Sequence, residues 1–135
     1  MASDYFKSIS HGKLILILIG LGYFFLMLGN GMVSLTHPDE VFYTQTAKEM
    51  IARQSWVTPI IFDAPQFEKP ILFYWLLVAA FKWFGVTPFA ARFPPAFFGI
   101  LGVAVTYWIS FMLFQSKRLS FWAGLILMSS FIYLA

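Results

Sequence analysis

The chain has 135 residues, of which 60% are hydrophobic, 21% aromatic and only 11% charged, and its mean hydropathy of +0.77 lies far above that of a soluble domain, so it reads as an integral membrane protein. Its net charge of +3 is too small and too scattered to suggest nucleic acid, and with no cysteine it has no disulfide framework, thiolate metal site or cysteine nucleophile. Neither an internal repeat nor a low-complexity tract is present.

From Leu14 to Leu35 there is no charge, and about 22 residues rising about 1.5 Å each give a helix of about 33 Å, enough to cross the hydrocarbon. This run (14–35) is the first expected span. It is longer than the apolar part of a signal peptide and no A-x-A-like site follows Gly29, Asn30 and Gly31, which favours an uncleaved anchor. Lys7 and Lys13 precede it, placing the N-terminus in the cytoplasm and the next loop outside.

That loop is expected to hold two juxtamembrane helices, 38–54 and 70–84. In the first, Tyr43, Ala47, Met50 and Ile51 fall on one stripe, with Gln45, Lys48, Glu49 and Arg53 opposite, the pattern of a helix lying on a membrane. Residues 55–69 carry Pro59 and Pro65 and read as an extended loop with Trp56 and Phe67 as interfacial anchors. Ile71 to Phe81 is charge-free for about 11 residues before Lys82, half a span, which favours an interfacial or re-entrant helix. A second span (89–114) follows, and Lys117 and Arg118 then fall in the cytoplasm, in agreement with the positive-inside pattern. A third (119–135) turns outward. Because the sequence stops within that apolar run, it is expected to be part of a longer polypeptide. The fold class is therefore all-α integral membrane, with about three transmembrane helices and two interfacial ones.

Asp39 and Glu40 are two of only six acids. Thr36-His37-Pro38-Asp39 resembles a helix capping pattern, so Asp39 could simply favour the helix dipole. Adjacent helical residues point about 100° apart, so the two acids have separate tasks. Glu40 lies towards the apolar stripe and needs a partner. Glu68 and Lys69 form either a solvated helix boundary or a phosphate contact. Arg92 is a second phosphate candidate or a side chain snorkelling to headgroups. His37 reads as a loop or pre-cap residue.

The ordered series Asp39-Glu40, Tyr43, Ala47, Glu49-Met50, Trp56, Pro59, Pro65, Phe67-Glu68-Lys69-Pro70, Leu72, Tyr74-Trp75, Phe84-Gly85, Phe89 and Arg92 with Pro94 resembles the N-terminal region of GT-C membrane glycosyltransferases, in particular the aminoarabinose transferase and protein mannosyltransferase-like families. The resemblance covers about residues 14–118. It implies transfer of a sugar from a polyprenyl-phosphate donor to a lipid or protein acceptor at the external face of a bacterial inner membrane. Asp39 is implied as catalytic base and Lys69 as a contact to the carrier phosphate. Glu68 is implied at the active-site rim, sometimes beside a metal, with Glu40 and Arg92 also assigned to substrate binding. No cofactor is required, and a divalent metal stays open. The implied partners are membrane lipid, the donor, the acceptor and the remainder of the enzyme. Ile71, Asp63 and Ser55 depart from the usual proline, glycine and acid. The alternative is a non-catalytic membrane module that binds lipid phosphate or a partner protein.

Overall fold

The computed structural model describes residues 8–32, 34–35, 37–67 and 69–130. The chain divides into two compact units, Met1–Leu28 with Pro95–Ala135, and Gly29–Pro94. In chain order the elements are α1 (His11–Leu26), α2 (Pro38–Arg53), β1 (Ile60–Ile61), β2 (Ala64–Pro65), α3 (Ile71–Phe84), α4 (Pro88–Phe114) and α5 (Lys117–Ser129). The all-helical expectation holds apart from a short antiparallel hairpin where an extended loop was expected, with Ile60 opposite Pro65 and Ile61 opposite Ala64.

The discontinuous unit consists of α1, most of α4 and α5. Ser10 caps α1 through the amide of Lys13, and Ser116 caps α5 through that of Leu119. Leu14, Leu18, Val103, Tyr107 and Met128 form its core. Glycines let these helices approach closely, as membrane helices do where lipid supplies no hydrophobic drive for packing. A Cβ built on Gly22 would stand 3.1 Å from Ile100, and one on Gly124 would stand 3.0 Å from Leu18 and 3.4 Å from Val103. Near the start of α1 the imidazole of His11 and the buried hydroxyl of Tyr107 are 2.8 Å apart, and Lys117 Nζ donates to the Ile9 carbonyl at 2.8 Å.

Because Leu18 is fully buried and belongs to the same core cluster as Val103, it has little room to yield. Gly124→Val is therefore expected to destabilise this unit by about 1–3 kcal/mol through overpacking, whereas Gly20→Val, with nothing within 4 Å, should be close to neutral. Thermal melting of both variants in detergent tests the packing; equal midpoints would contradict it.

The expected first span, 14–35, is shorter as a helix. α1 ends at Leu26, and at Gly29 the backbone turns into the left-handed region with φ +94°, which glycine tolerates and a helix does not. Among the described residues only α4, with 27 residues, is long and apolar enough to cross a membrane; α1 and α3 are apolar but shorter. The 119–135 expectation is described through Ser130, with α5 starting two residues earlier than expected.

The second unit packs α2 and α3 around Ala47, Met50, Tyr74, Leu77, Val78 and Phe81, closed by Ala90 and Ala91 from the first turn of α4. The stripe read from the sequence is thus the inner face of α2. The hairpin is tied back to α2, and the loop before it to α3. Phe62 N–H and Gln45 Nε2 donate to Glu49, Arg53 pairs with Asp63, Trp75 Nε1 donates to the Trp56 carbonyl at 2.7 Å, and Lys82 Nζ lies 4.4 Å from the centre of the Trp56 ring.

Candidate functional site

The candidate acids stand at the start of α2. His37 Nδ1 accepts the amide of Asp39 at 3.3 Å and is the N-cap. The cap is therefore one residue beyond the expected Thr36, which lies outside the described residues. Pro38 explains the shift: proline suits the first helical position, where its missing N–H is no loss, and that fixes the cap at residue 37. Asp39 stays in the first turn, favoured by the dipole, with its side chain exposed.

Glu40 does have the partner its position demands. Arg92 Nε donates to Oε1 at 2.8 Å and Nη2 to Oε2 at 2.9 Å, a two-pronged pairing that guanidinium and carboxylate make well. The other donors of Arg92 reach backward, Nη1 to the Asn30 carbonyl at 2.9 Å and Nη2 to the Ser34 carbonyl at 3.2 Å. One guanidinium thus fastens three segments of the unit: the irregular stretch before α2, the first turn of α2 and the first turns of α4. The hydrogen bond from Arg92 holds the Glu40 carboxyl below the ordinary carboxylate range, with burial opposing it and the guanidinium charge adding to it.

Lys69 stands over Tyr43, its Nζ 5.6 Å from the ring centre. Tyr43 is itself held edge-on by Phe73 at 4.8 Å and Tyr74 at 6.1 Å. Since Tyr43 lies one helical turn beyond Asp39, the two share a face of α2, and the Lys69 ammonium is held over that face. Glu68 lies outside the described residues. The four described candidates therefore sort by geometry. Asp39 lies one turn before Tyr43 and Lys69 stands over the Tyr43 ring, whereas Glu40 and Arg92 hold each other and the backbone, an arrangement unlike headgroup snorkelling for Arg92.

Among the described residues no group of three or more His, Asp or Glu side chains gathers to hold a metal ion. A groove of about 410 Å³ lies in the discontinuous unit, lined by Phe25, Trp122, Leu125, Ile126, Met128 and Ser129. Among the described residues its lining contains no charged group and none of the four described candidates.

Residues 14–135 match the family described as dolichyl-phosphate-mannose-protein mannosyltransferase. The chain belongs to that family. Bacterial relatives are similar to it at modest identity. One, named undecaprenyl phosphate-alpha-4-amino-4-deoxy-L-arabinose arabinosyl transferase, from Yersinia enterocolitica, is 38% identical over 95 residues, 70% of this chain and 17% of the relative. A relative of the same name from Pectobacterium carotovorum is 32% identical over 116 residues, 86% of this chain and 20% of the relative. The chain thus spans about a fifth of the length of these curated relatives. No solved structure matches. The family is one of glycosyltransferases that use polyprenyl-phosphate-linked sugars.

Two contributors escaped the sequence reading. Tyr43 reads from the sequence as part of the packing stripe, and in the structure it also bears Lys69. The carbonyls of Asn30 and Ser34 lay within what reads as an unbroken span, where helix hydrogen bonds would have used them. The signal for the break was the Gly29-Asn30-Gly31 run. The signal for the Arg92 pairing was an acid on an apolar face with no cation of its own helix beside it.

Proposed function

We propose that this chain supplies part of the catalytic centre of a membrane glycosyltransferase that moves a sugar from a polyprenyl-phosphate donor to a lipid or protein acceptor at the external face of a bacterial inner membrane. The observation that supports this reading is the division of labour at the start of α2: Glu40 is held by Arg92, Asp39 is left exposed in the first turn, and Lys69 stands over the same face. In a family of this chemistry a base and a phosphate contact are the two groups required.

On this reading Asp39 accepts the proton of the acceptor hydroxyl as its oxygen attacks the anomeric carbon. The bond from that carbon to the phosphate oxygen breaks on the opposite face, inverting the centre. The electron pair leaves with the lipid phosphate, whose gathering charge the Lys69 ammonium stabilises. Glu40 and Arg92 are positioning residues. They fix the first turn of α2, and with it Asp39, against the two segments that flank it. In the proposed organisation the first span is built on α1, which is helical only as far as Leu26, the second on α4 and the third on α5, with α2 and α3 as interfacial helices. Turnover further requires parts of the family's length beyond the fifth covered by this chain.

Lys69→Ala tests the donor contact in a polypeptide of full family length carrying these residues. It is expected to weaken donor affinity and turnover together, because the bound and the departing phosphate both use the charge. Unchanged donor affinity would remove Lys69 from the site, and donor binding without any transfer by the unaltered enzyme would favour a binding module instead. The orientation has its own test. Single cysteines can be placed without native competitors in this cysteine-free chain, and labelling from outside intact cells should reach position 39 and not position 117. External labelling at 117 would invert the proposed topology.

A further inference from the structure

The hairpin carries a feature that neither the packing nor the transfer chemistry uses. Its two turn residues, Phe62 and Asp63, have φ of 48° and 65°, and a two-residue turn with both residues in the left-handed region favours Asn-Gly, for which that backbone is easy. A bulky aromatic there costs roughly 1–2 kcal/mol. Asp63 has a local reason to be present, its pairing with Arg53. Phe62 is 79% exposed and lies in neither core cluster. Its backbone N–H is held by Glu49, but its side chain makes no packing contact within either cluster.

We propose that Phe62 is a lipid anchor, which seats the hairpin tip at the boundary between phospholipid headgroups and acyl chains. The surroundings are those of a membrane interface rather than of a protein partner or of water. The aromatic tip is bordered by Arg53 at the end of α2, and elsewhere in the same unit Lys82 stands over the indole of Trp56, the aromatic and basic mixture that settles at headgroup level. The unit also contains the first turns of α4, the helix long and apolar enough to cross a bilayer, so the tip is tethered to a membrane-entering segment. The proposal does not depend on the roles of Asp39 and Lys69, and its failure would leave them as they stand.

The test uses the chain in vesicles of phosphatidylethanolamine and phosphatidylglycerol, with an environment-sensitive fluorophore on a single cysteine. One label replaces Ala64, exposed and two residues from the tip; the control replaces Lys48, exposed on the polar face of α2. The Ala64 label is expected to be quenched by spin-labelled lipid and shielded from aqueous iodide, and the Lys48 label the reverse. Adding Phe62→Asn should cut the lipid quenching of the Ala64 label by roughly threefold, because the apolar anchor is gone while the turn keeps a residue that favours its backbone. Folding is checked by circular dichroism. Iodide quenching equal to that at position 48 would put the tip in water and overturn the proposal. Shielding from both quenchers would place protein over the tip and overturn it equally. Lipid quenching that survives Phe62→Asn would remove Phe62 as the anchor.

Discussion

Asp39→Asn, made in a polypeptide of full family length, is expected to lower turnover on a hydroxyl acceptor by about 10²-fold or more, with donor affinity nearly unchanged. Asparagine keeps the size of the side chain but cannot accept a proton at neutral pH. The competing role, an acid steadying the first turn of α2, predicts something different: about 1 kcal/mol or less of stability and no large change in rate. The two are easier to separate because the cap itself belongs to His37, whose ring nitrogen accepts the amide of Asp39. Substituting Asp39 leaves that hydrogen bond in place, since it uses the backbone. A folded Asp39→Asn enzyme with near-normal turnover would leave the acid a helix-dipole role and take away the main support for the proposed base.

The second large effect is expected at Arg92→Lys, a change that conserves charge and loses geometry. An ammonium cannot reproduce the fork that holds both Glu40 oxygens while reaching the Asn30 and Ser34 carbonyls. The pair is only partly exposed, at 18% and 32% of the two side chains, so its loss lies between the surface and buried limits, about 1–3 kcal/mol. Turnover should fall by about 10²-fold, because a displacement of Asp39 of even 1 Å is costly to an oriented reaction. The pH dependence separates this role from generic damage. The folded-state pKa of Glu40 is lowered, chiefly by the hydrogen bond from Arg92. The stability it contributes is therefore complete above the ordinary carboxylate range and is lost as pH falls through the lowered value. The stability gap between the unaltered protein and Arg92→Lys should narrow in acid. A gap constant with pH, or unimpaired turnover, would contradict the positioning role.

What the sequence shows well is what depends on local periodicity. The apolar stripe of α2 appears in the structure as Ala47 and Met50, both fully buried, because a 3.6-residue repeat needs no knowledge of the partner helix. α3 and α4 likewise begin and end within a residue of expectation, since Pro70, Gly85 and Pro88 mark their limits in the sequence. Hydropathy alone could not see the end of α1, because residues after Leu26 remain apolar while their backbone leaves the helix. Nor could it choose the fate of Arg92. Lipid headgroups and protein carboxylates suit a guanidinium equally well, and the pairing with Glu40 spans 52 positions of sequence. The hairpin was missed for a different reason: Phe62-Asp63 lacks the glycine or asparagine by which such turns are recognised.

The discontinuity of the first unit bears on the order of events during synthesis. His11 and Tyr107 are 96 residues apart in sequence, which at about 5–20 residues per second is a delay of roughly 5–20 s between the arrival of one and of the other at the ribosome. Throughout that interval the apolar face of α1, with Leu14 and Leu18, has none of its later neighbours. Residues 29–94 emerge in the meantime, and Arg92 leaves the ribosome and can clamp Glu40 before Val103, Tyr107 and Met128 have emerged. The stretch bearing the acids is therefore assembled as an insert while the unit that flanks it is still waiting for its second half.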